Sequence, residues 1–311
     1  MRPISNDTVL IIAGPTASGK SSLAIKAAEK FDGVIINSDA MQVYSELRIL
    51  TARPSKYDES IVPHKLYGTL PATKNCTVAL WKELAETEIL ACWQKGVLPI
   101  IAGGTGLYIK ALMQGLSEIP QVSKEIREEV ISRRNKKGAE AFHDELRRFD
   151  PKTALKVDLN DTQRMVRAYE VYLGTNRSLS DWQELKPTKA PFKADYQIVI
   201  LDPPRDKLYK KCDQRFDWMI KNGAIDEVKG LLSLNLEPTL SAMKAIGVAQ
   251  LTSYLSHEQT LDIAVSEAQK VTRRYAKRQL TWFRNQIIQC YRVNEQYSER
   301  LSDEIFSKIV I

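Results

Sequence analysis

Residues 14–21 read Gly14-Pro15-Thr16-Ala17-Ser18-Gly19-Lys20-Ser21, between the apolar run 9–13 and the alanine-rich stretch 23–28. Glycines near both ends of such a turn let several backbone N–H groups point inward, and a helix starting behind it adds its positive end. Lys20 offers an ammonium and Ser21 a hydroxyl that can ligate magnesium, so the natural guest is a diphosphate or polyphosphate. A second set follows at residues 38–44, Ser38-Asp39-Ala40-Met41-Gln42-Val43-Tyr44, where Asp39 and Gln42 fall just past another apolar run. Asp39 there is either a proton acceptor for a nucleophile or a helix cap. The third set, Gly103-Gly104-Thr105-Gly106, puts one hydroxyl in a turn that a ligand can approach closely; a plain turn residue is the other reading of Thr105.

These residues converge only if the elements before them are neighbouring strands. Residues 8–13, 33–38 and 97–102 are short apolar runs that predict buried strands. Residues 20–30 predict a helix closed near Gly33, and 78–94 predict a second with Val78, Trp81, Ala85, Ile89 and Cys92 on one face and Gly96 as its stop. Alternating units of this kind build a parallel sheet covered by helices, and ligands bind such sheets at the carboxyl ends of the strands. From 116 to 195 the texture changes to charged helical segments at 124–137, 139–149 and 161–173, the last stopped by Gly174, with Pro187 and Pro191 marking the exit. Residues 196–201 restore a buried strand. The expected architecture is α/β, a P-loop NTPase-like parallel sheet flanked by helices, formed by 1–115 and 196–311, with an all-helical insertion domain at 116–195.

Composition narrows the partners. The chain has 311 residues and a net charge of +7, which favours an anionic partner. No apolar run nears the roughly 20 residues needed to span a bilayer, and the start lacks a secretory pattern, so no membrane partner and a cytoplasmic location are expected. Four scattered cysteines and three separated histidines argue against a zinc site or a disulfide framework and for reduced thiols.

The positive charge is concentrated late in the chain. With each residue turned about 100° from the last on a helix, Lys270, Arg273, Arg274, Lys277, Arg278 and Arg284 fall within an arc of roughly 140°. Ala268, Val271, Tyr275, Ala276, Trp282 and Phe283 gather on the opposite side. A one-sign face backed by an apolar one is a docking surface for a polyanion, whereas a merely solvated face mixes acids with bases.

Taken together, the motifs at 14–21, 38–44, 51–54 (TARP), 62–64 (VPH), 103–108 (GGTGLY) and 272–284 (TRRYAKRQLTWFR) resemble, in order and spacing, the tRNA dimethylallyltransferase (tRNA isopentenyltransferase) family. The resemblance implies that the loop holds the diphosphate of dimethylallyl diphosphate, with magnesium as cofactor and Ser21 as its ligand. It also implies transfer of the five-carbon group to N6 of adenosine 37 in the tRNA anticodon stem-loop. By the family pattern Asp39 takes the N6 proton, Thr105 bonds the bridging oxygen, and Arg215 joins residues 14–21 around the diphosphate. The same pattern implies tRNA contacts at Asp39, Ala40, Met41, Gln42 and Thr105 around a base turned out of its stack, and at Arg127, Gln163, Arg164, Arg167, Arg273, Arg274, Lys277 and Arg278 on the backbone. A monomer is expected. Ala40, Leu50, Lys65 and Val248 depart from the pattern, at positions bearing on the flipped base and on tRNA selectivity.

Three other readings stay open from the residues alone. The loop serves ATP in a small-molecule kinase, which leaves the basic helix unexplained; the chain is a non-catalytic nucleic-acid binder with a nucleotide switch; or it prenylates free adenine nucleotides, which would not need Arg164, Arg167 or the basic helix.

Overall fold

The computed structural model describes residues 7–117, 119–185 and 192–309. Pro187 and Pro191, the expected exit of the helical insertion, lie outside them. The chain divides into two compact units, Met1–Gln114 with Phe192–Ile311, and Gly115–Pro191.

The first unit is built on a sheet of strands β1 (Thr8–Ala13), β2 (Gly33–Asn37), β3 (His64–Lys65), β4 (Leu98–Gly103), β5 (Asp195–Leu201) and β6 (Tyr291–Val293). Their order is β3-β2-β4-β1-β5-β6 and every pairing is parallel. β1, β2 and β4 are therefore adjacent, and their carboxyl ends share one edge of the sheet. Alternation along β1 sorts its residues between two cores. Val9, Ile11 and Ala13 pack with Trp81, Ile89 and Phe283, while Leu10 and Ile12 pack with Leu23, Ala24 and Ala27. Strand β1 is buried along its whole length, as a strand covered on both faces must be.

Helices Lys20–Phe31 and Val78–Gln94 cover opposite faces. The first ends at Asp32, whose left-handed φ of +51° closes it one residue before Gly33. The second buries Trp81, Ala85, Ile89 and Cys92; its Trp81 indole donates to the Asn37 carbonyl at 2.7 Å and stacks on Tyr108, which pins the end of β2. Helices Arg205–Lys221 and Leu261–Gln286 pack together through Leu208, Cys212, Ala276 and Leu280.

The second unit contains helices Lys124–Lys137, Ala139–Phe149 and Thr162–Thr175 around Val130, Phe142, Leu146, Met165 and Tyr169. The expected stop at Gly174 is not where the last of these ends. It runs on to Thr175 and closes on Asn176 in the left-handed region, while Asp161 caps its start through the Arg164 N–H. Asparagine tolerates that conformation and leaves glycine no special role there.

Gly103, the last residue of β4, passes so close to β2 that an added Cβ would lie 2.2 Å from the Ser38 carbonyl carbon. Backbone cannot yield as a flexible side chain does. Gly103→Ala should lower the unfolding free energy by about 1–3 kcal/mol, read as a lower denaturant midpoint at unchanged slope; an unaltered midpoint would contradict this packing.

Candidate active site

The turn from Gly14 to Ser21 joins β1 to the helix Lys20–Phe31. Ala17 and Gly19 take left-handed φ values of +64° and +95°, which turns the loop amides toward a common point. The amides of Gly19, Lys20 and Ser21 find no acceptor among the described residues, and the 12-residue helix behind them contributes its positive end. Lys20 reaches back to the Pro15 carbonyl at 3.3 Å. Burial, reinforced by nearby Arg215 and opposed by Asp39, pulls its ammonium down from 10.5 to about 8. Arg215, from helix Arg205–Lys221, donates to the Thr16 hydroxyl, and burial lowers its pKa as well. Two cations held in partial dehydration, beside free amides, make a site that an anion stabilises.

Asp39 lies one residue beyond Ser38 at the end of β2. Asn37 fixes it there: its side chain accepts the Asp39 N–H at 2.8 Å and donates to the Asp39 and Leu66 carbonyls at 3.0 and 3.1 Å. One Asp39 carboxylate oxygen accepts the Met41 N–H at 2.9 Å, an Asx turn that leaves the second oxygen without a hydrogen bond among the described residues. The Thr105 N–H bonds the Ser38 carbonyl at 3.1 Å and its hydroxyl accepts the Ala40 N–H at 2.9 Å. These bonds tie the ends of β2 and β4 together.

Two cavities meet this edge. One of about 350 Å³ is lined by Thr16, Asp39, Ala40 and Met41, by Arg215 and Arg278, and by an apolar wall including Leu50, Phe216, Met219 and Val271. A second, about 610 Å³, lies over Lys20 and Ser21 with Lys211 and Arg215 at its side. Arg215 thus borders both. Thr105 lines neither cavity; it is joined to the first through Ala40, whose N–H it accepts.

Other expected residues fall into distinct surroundings. Gln42 gives both amide hydrogens to the Thr51 and Ala52 carbonyls at 2.9 Å, which folds the 51–54 segment against it. Leu50 is placed by Glu227, whose carboxylate accepts the N–H groups of Arg48, Ile49 and Leu50 at 2.6, 2.7 and 2.8 Å. Leu50 and Val248, two of the departures, share one apolar cluster with Phe216, and Lys65 lies 3.9 Å from Glu88.

The basic arc of helix Leu261–Gln286 divides in two. Arg273 pairs with Asp213 at 2.6 Å and Arg284 grips buried Asp202 with two bonds of 2.7 and 2.9 Å. Lys270, Arg274, Lys277 and Arg278 are exposed and have no acidic partner among the described residues; Arg278 lies over the Tyr275 ring at 5.7 Å. In the helical unit, Arg127 and Arg167 share the buried Glu170 carboxylate at 3.0 and 2.7 Å. Gln163 and Arg164 are exposed, with Arg164 3.3 Å from Asp161.

Sequence patterns missed Tyr275 and Gln279 as site residues. Tyr275 counted as part of an apolar side, but it lines the cavity. Gln279 is buried and bonds two of the site's loops; its one signal was a polar residue recurring on the same helical stripe as Ala276 and Leu280.

The family described as IPP transferase matches residues 42–286, and that described as isopentenyl transferase matches residues 7–61. A tRNA dimethylallyltransferase of Paramagnetospirillum magneticum is 46% identical over 300 residues, 96% of this chain and 95% of that protein. Another from Rhodopseudomonas palustris is 48% identical over 280 residues, 89% and 88% of the two chains. Among solved structures, a tRNA delta(2)-isopentenylpyrophosphate transferase from Staphylococcus epidermidis is 32% identical, with a TM-score of 0.69 over 97% of this chain and 98% of that one. A eukaryotic dimethylallyltransferase acting on tRNA, 25% identical, gives a TM-score of 0.79 over 98% of this chain and 81% of its own.

The lowered pKa of Lys20 has a measurable sign. Below about 8 its ammonium is charged and attracts an anion; above, the empty site holds a neutral amine. Affinity for inorganic diphosphate should therefore fall as pH rises through that value. Lys20→Arg stays charged and should lack this component, the ligand's own titration being common to both proteins. Identical pH profiles would show that Lys20 is not the titrating group.

Proposed function

The chain belongs to the IPP transferase family, whose relatives at 46–48% identity are tRNA dimethylallyltransferases, and from that membership we propose the chemistry of its site. The enzyme transfers a dimethylallyl group from dimethylallyl diphosphate to N6 of adenosine 37 in tRNA. The bond between the allylic carbon and the bridging oxygen breaks, a bond from N6 to that carbon forms, and diphosphate leaves. N6 is a weak nucleophile because its lone pair is delocalised into the ring, so the reaction depends on charge stabilisation at the leaving group. Gly14, Pro15, Thr16, Ala17, Ser18, Gly19, Lys20 and Ser21 hold that group, with Arg215 against it. The free oxygen of Asp39 accepts the N6 proton. Thr105, whose oxygen already accepts the Ala40 N–H, has its hydrogen available for the bridging oxygen. The wall of Leu50, Phe216 and Met219 keeps water from the allylic carbon.

A magnesium ion fits this arrangement through Ser21. Its hydroxyl is exposed beside Lys20 at the helix start, and among the described residues no three His, Cys, Asp or Glu side chains cluster to cage a metal. Magnesium commonly takes one protein oxygen and completes its shell with phosphate and water, neutralising charge on the leaving group.

For RNA, the exposed cations Arg274, Lys277 and Arg278 meet the backbone of the anticodon arm and bring the extruded base to Asp39, Ala40, Met41 and Gln42. Arg273 stands beside them, and in the helical insertion Arg127, Gln163, Arg164 and Arg167 make further contacts. A tRNA substrate supports a cytoplasmic location, and the enzyme acts as a monomer. No described helix is long and apolar enough to cross a membrane. The observation that carries the reading is the convergence of Asp39, Thr16 and Arg215 on one cavity with apolar walls. A kinase reading leaves those walls and the exposed cations without a purpose.

Unmodified tRNA and labelled dimethylallyl diphosphate should yield prenylated adenosine. Asp39→Asn keeps the acceptor for the Met41 N–H and should lower kcat by roughly 10²–10⁴-fold at little-changed tRNA affinity; full turnover would remove Asp39 as the base. Replacing Arg274 and Lys277 by alanine should weaken tRNA binding and lower the slope of log affinity against log salt by about 2. An unchanged slope would move the RNA to another face.

A further inference from the structure

Gln279 lies midway between the two loops that the reaction uses. Its Oε1 accepts the Thr16 N–H at 2.8 Å, and its Nε2 donates to the Gly104 carbonyl at 2.8 Å. The side chain is 5% exposed, so neither bond competes with water. Thr16 carries the hydroxyl that Arg215 binds, and Gly104 immediately precedes Thr105. The loops are shaped to admit the helix that bears Gln279: a Cβ on Gly104 would stand 2.3 Å from the Gln279 nitrogen, and one on Gly106 would stand 2.1 Å from the Trp282 ring. Residue 279 is one turn past Tyr275, which lines the cavity that holds Asp39, and one residue past the exposed Arg278.

A primary amide suits this place because it accepts and donates within one rigid plane. A carboxylate offers no hydrogen to Gly104, and an ammonium offers no lone pair to Thr16. The bond to Gln279 also turns the Thr16 N–H away from the anion, so that this residue meets the leaving group through its hydroxyl side and Arg215.

Resting on the allyl-transfer reading, we propose that Gln279 is a positioning residue for the reaction: it sets the separation between the diphosphate loop at Thr16 and the bridging-oxygen donor at Thr105, and registers both to the helix that receives tRNA. It touches no reacting atom. Its effect falls on the chemical step, since a misplacement of about 1 Å between reacting groups costs on the order of 10²-fold in rate.

The test is single-turnover transfer with enzyme in excess over tRNA and saturating dimethylallyl diphosphate, in the unaltered enzyme, Gln279→Met and Gln279→Glu. The rate constant reports geometry in folded molecules, and the amplitude reports how many are folded. Both variants should slow the rate constant at least about tenfold with tRNA affinity within about twofold. Gln279→Glu keeps the size and the acceptor for Thr16 but loses the donor to Gly104, so it decides the matter if Gln279→Met does not fold. A rate constant equal to that of the unaltered enzyme in either variant, with only amplitude or thermal stability reduced, would overturn the proposal and leave Gln279 a packing residue. No transfer by the unaltered enzyme would instead refute the allyl-transfer reading itself.

Discussion

Diphosphate leaves an allylic carbon readily only where its growing negative charge is already met, and the proposed reaction assigns that task to one place in the fold. That place is the turn after β1, the strand buried along its whole length at the middle of the sheet. Backbone amides and a helix terminus are fixed dipoles, and in a site partly closed to water they stabilise charge without having to reorient. Lys20 and Arg215 add full charges, both disfavoured by burial when the site is empty. Their unfavourable state in the free protein is the counterpart of strong attraction for the anion, and it requires that the surrounding fold be stable enough to hold them there.

The long basic helix serves two ends at once, and its charges are divided accordingly. Arg284 is held by buried Asp202 and Arg273 by Asp213, pairs that fix the helix to the body of the catalytic unit. Arg274, Lys277 and Arg278 have no acidic partner among the described residues and stay on the exposed side, where a polyanion would find them. Gln279, on the same helix, reaches the loops at the ends of β1 and β4, and Tyr275 lines the cavity beside Asp39. One rigid element thus carries both the proposed RNA-facing cations and the groups that hold the diphosphate loop in register.

Much of this was legible in the chain itself because local periodicity encodes it. The runs that became β1, β2, β4 and β5, the phosphate turn, and the buried face of helix Val78–Gln94 all announce themselves within a few residues. What stayed hidden has no local signature. Strand β3 is two residues long and β6 three, too short for alternation to show, and each forms only because a neighbouring strand offers an edge. The bond from Gln279 to Thr16 spans 263 positions, and a glutamine on a buried stripe does not say which carbonyl it will meet. The shared Glu170 partner of Arg127 and Arg167, and the capture of Arg284 by Asp202, are likewise tertiary facts; from a helical wheel every arginine looks equally free.

The account stands on a single spatial relation: allyl diphosphate held by the turn after β1, and the adenine amine arriving beside Asp39. A crystal structure with an unreactive thio-analogue of dimethylallyl diphosphate and an anticodon stem-loop would measure it directly. The expected result has the diphosphate on the amides of Gly19, Lys20 and Ser21, and N6 of the extruded adenosine within hydrogen-bonding distance of the Asp39 carboxylate. Diphosphate bound elsewhere, or an adenine whose N6 faces away from Asp39, would contradict it.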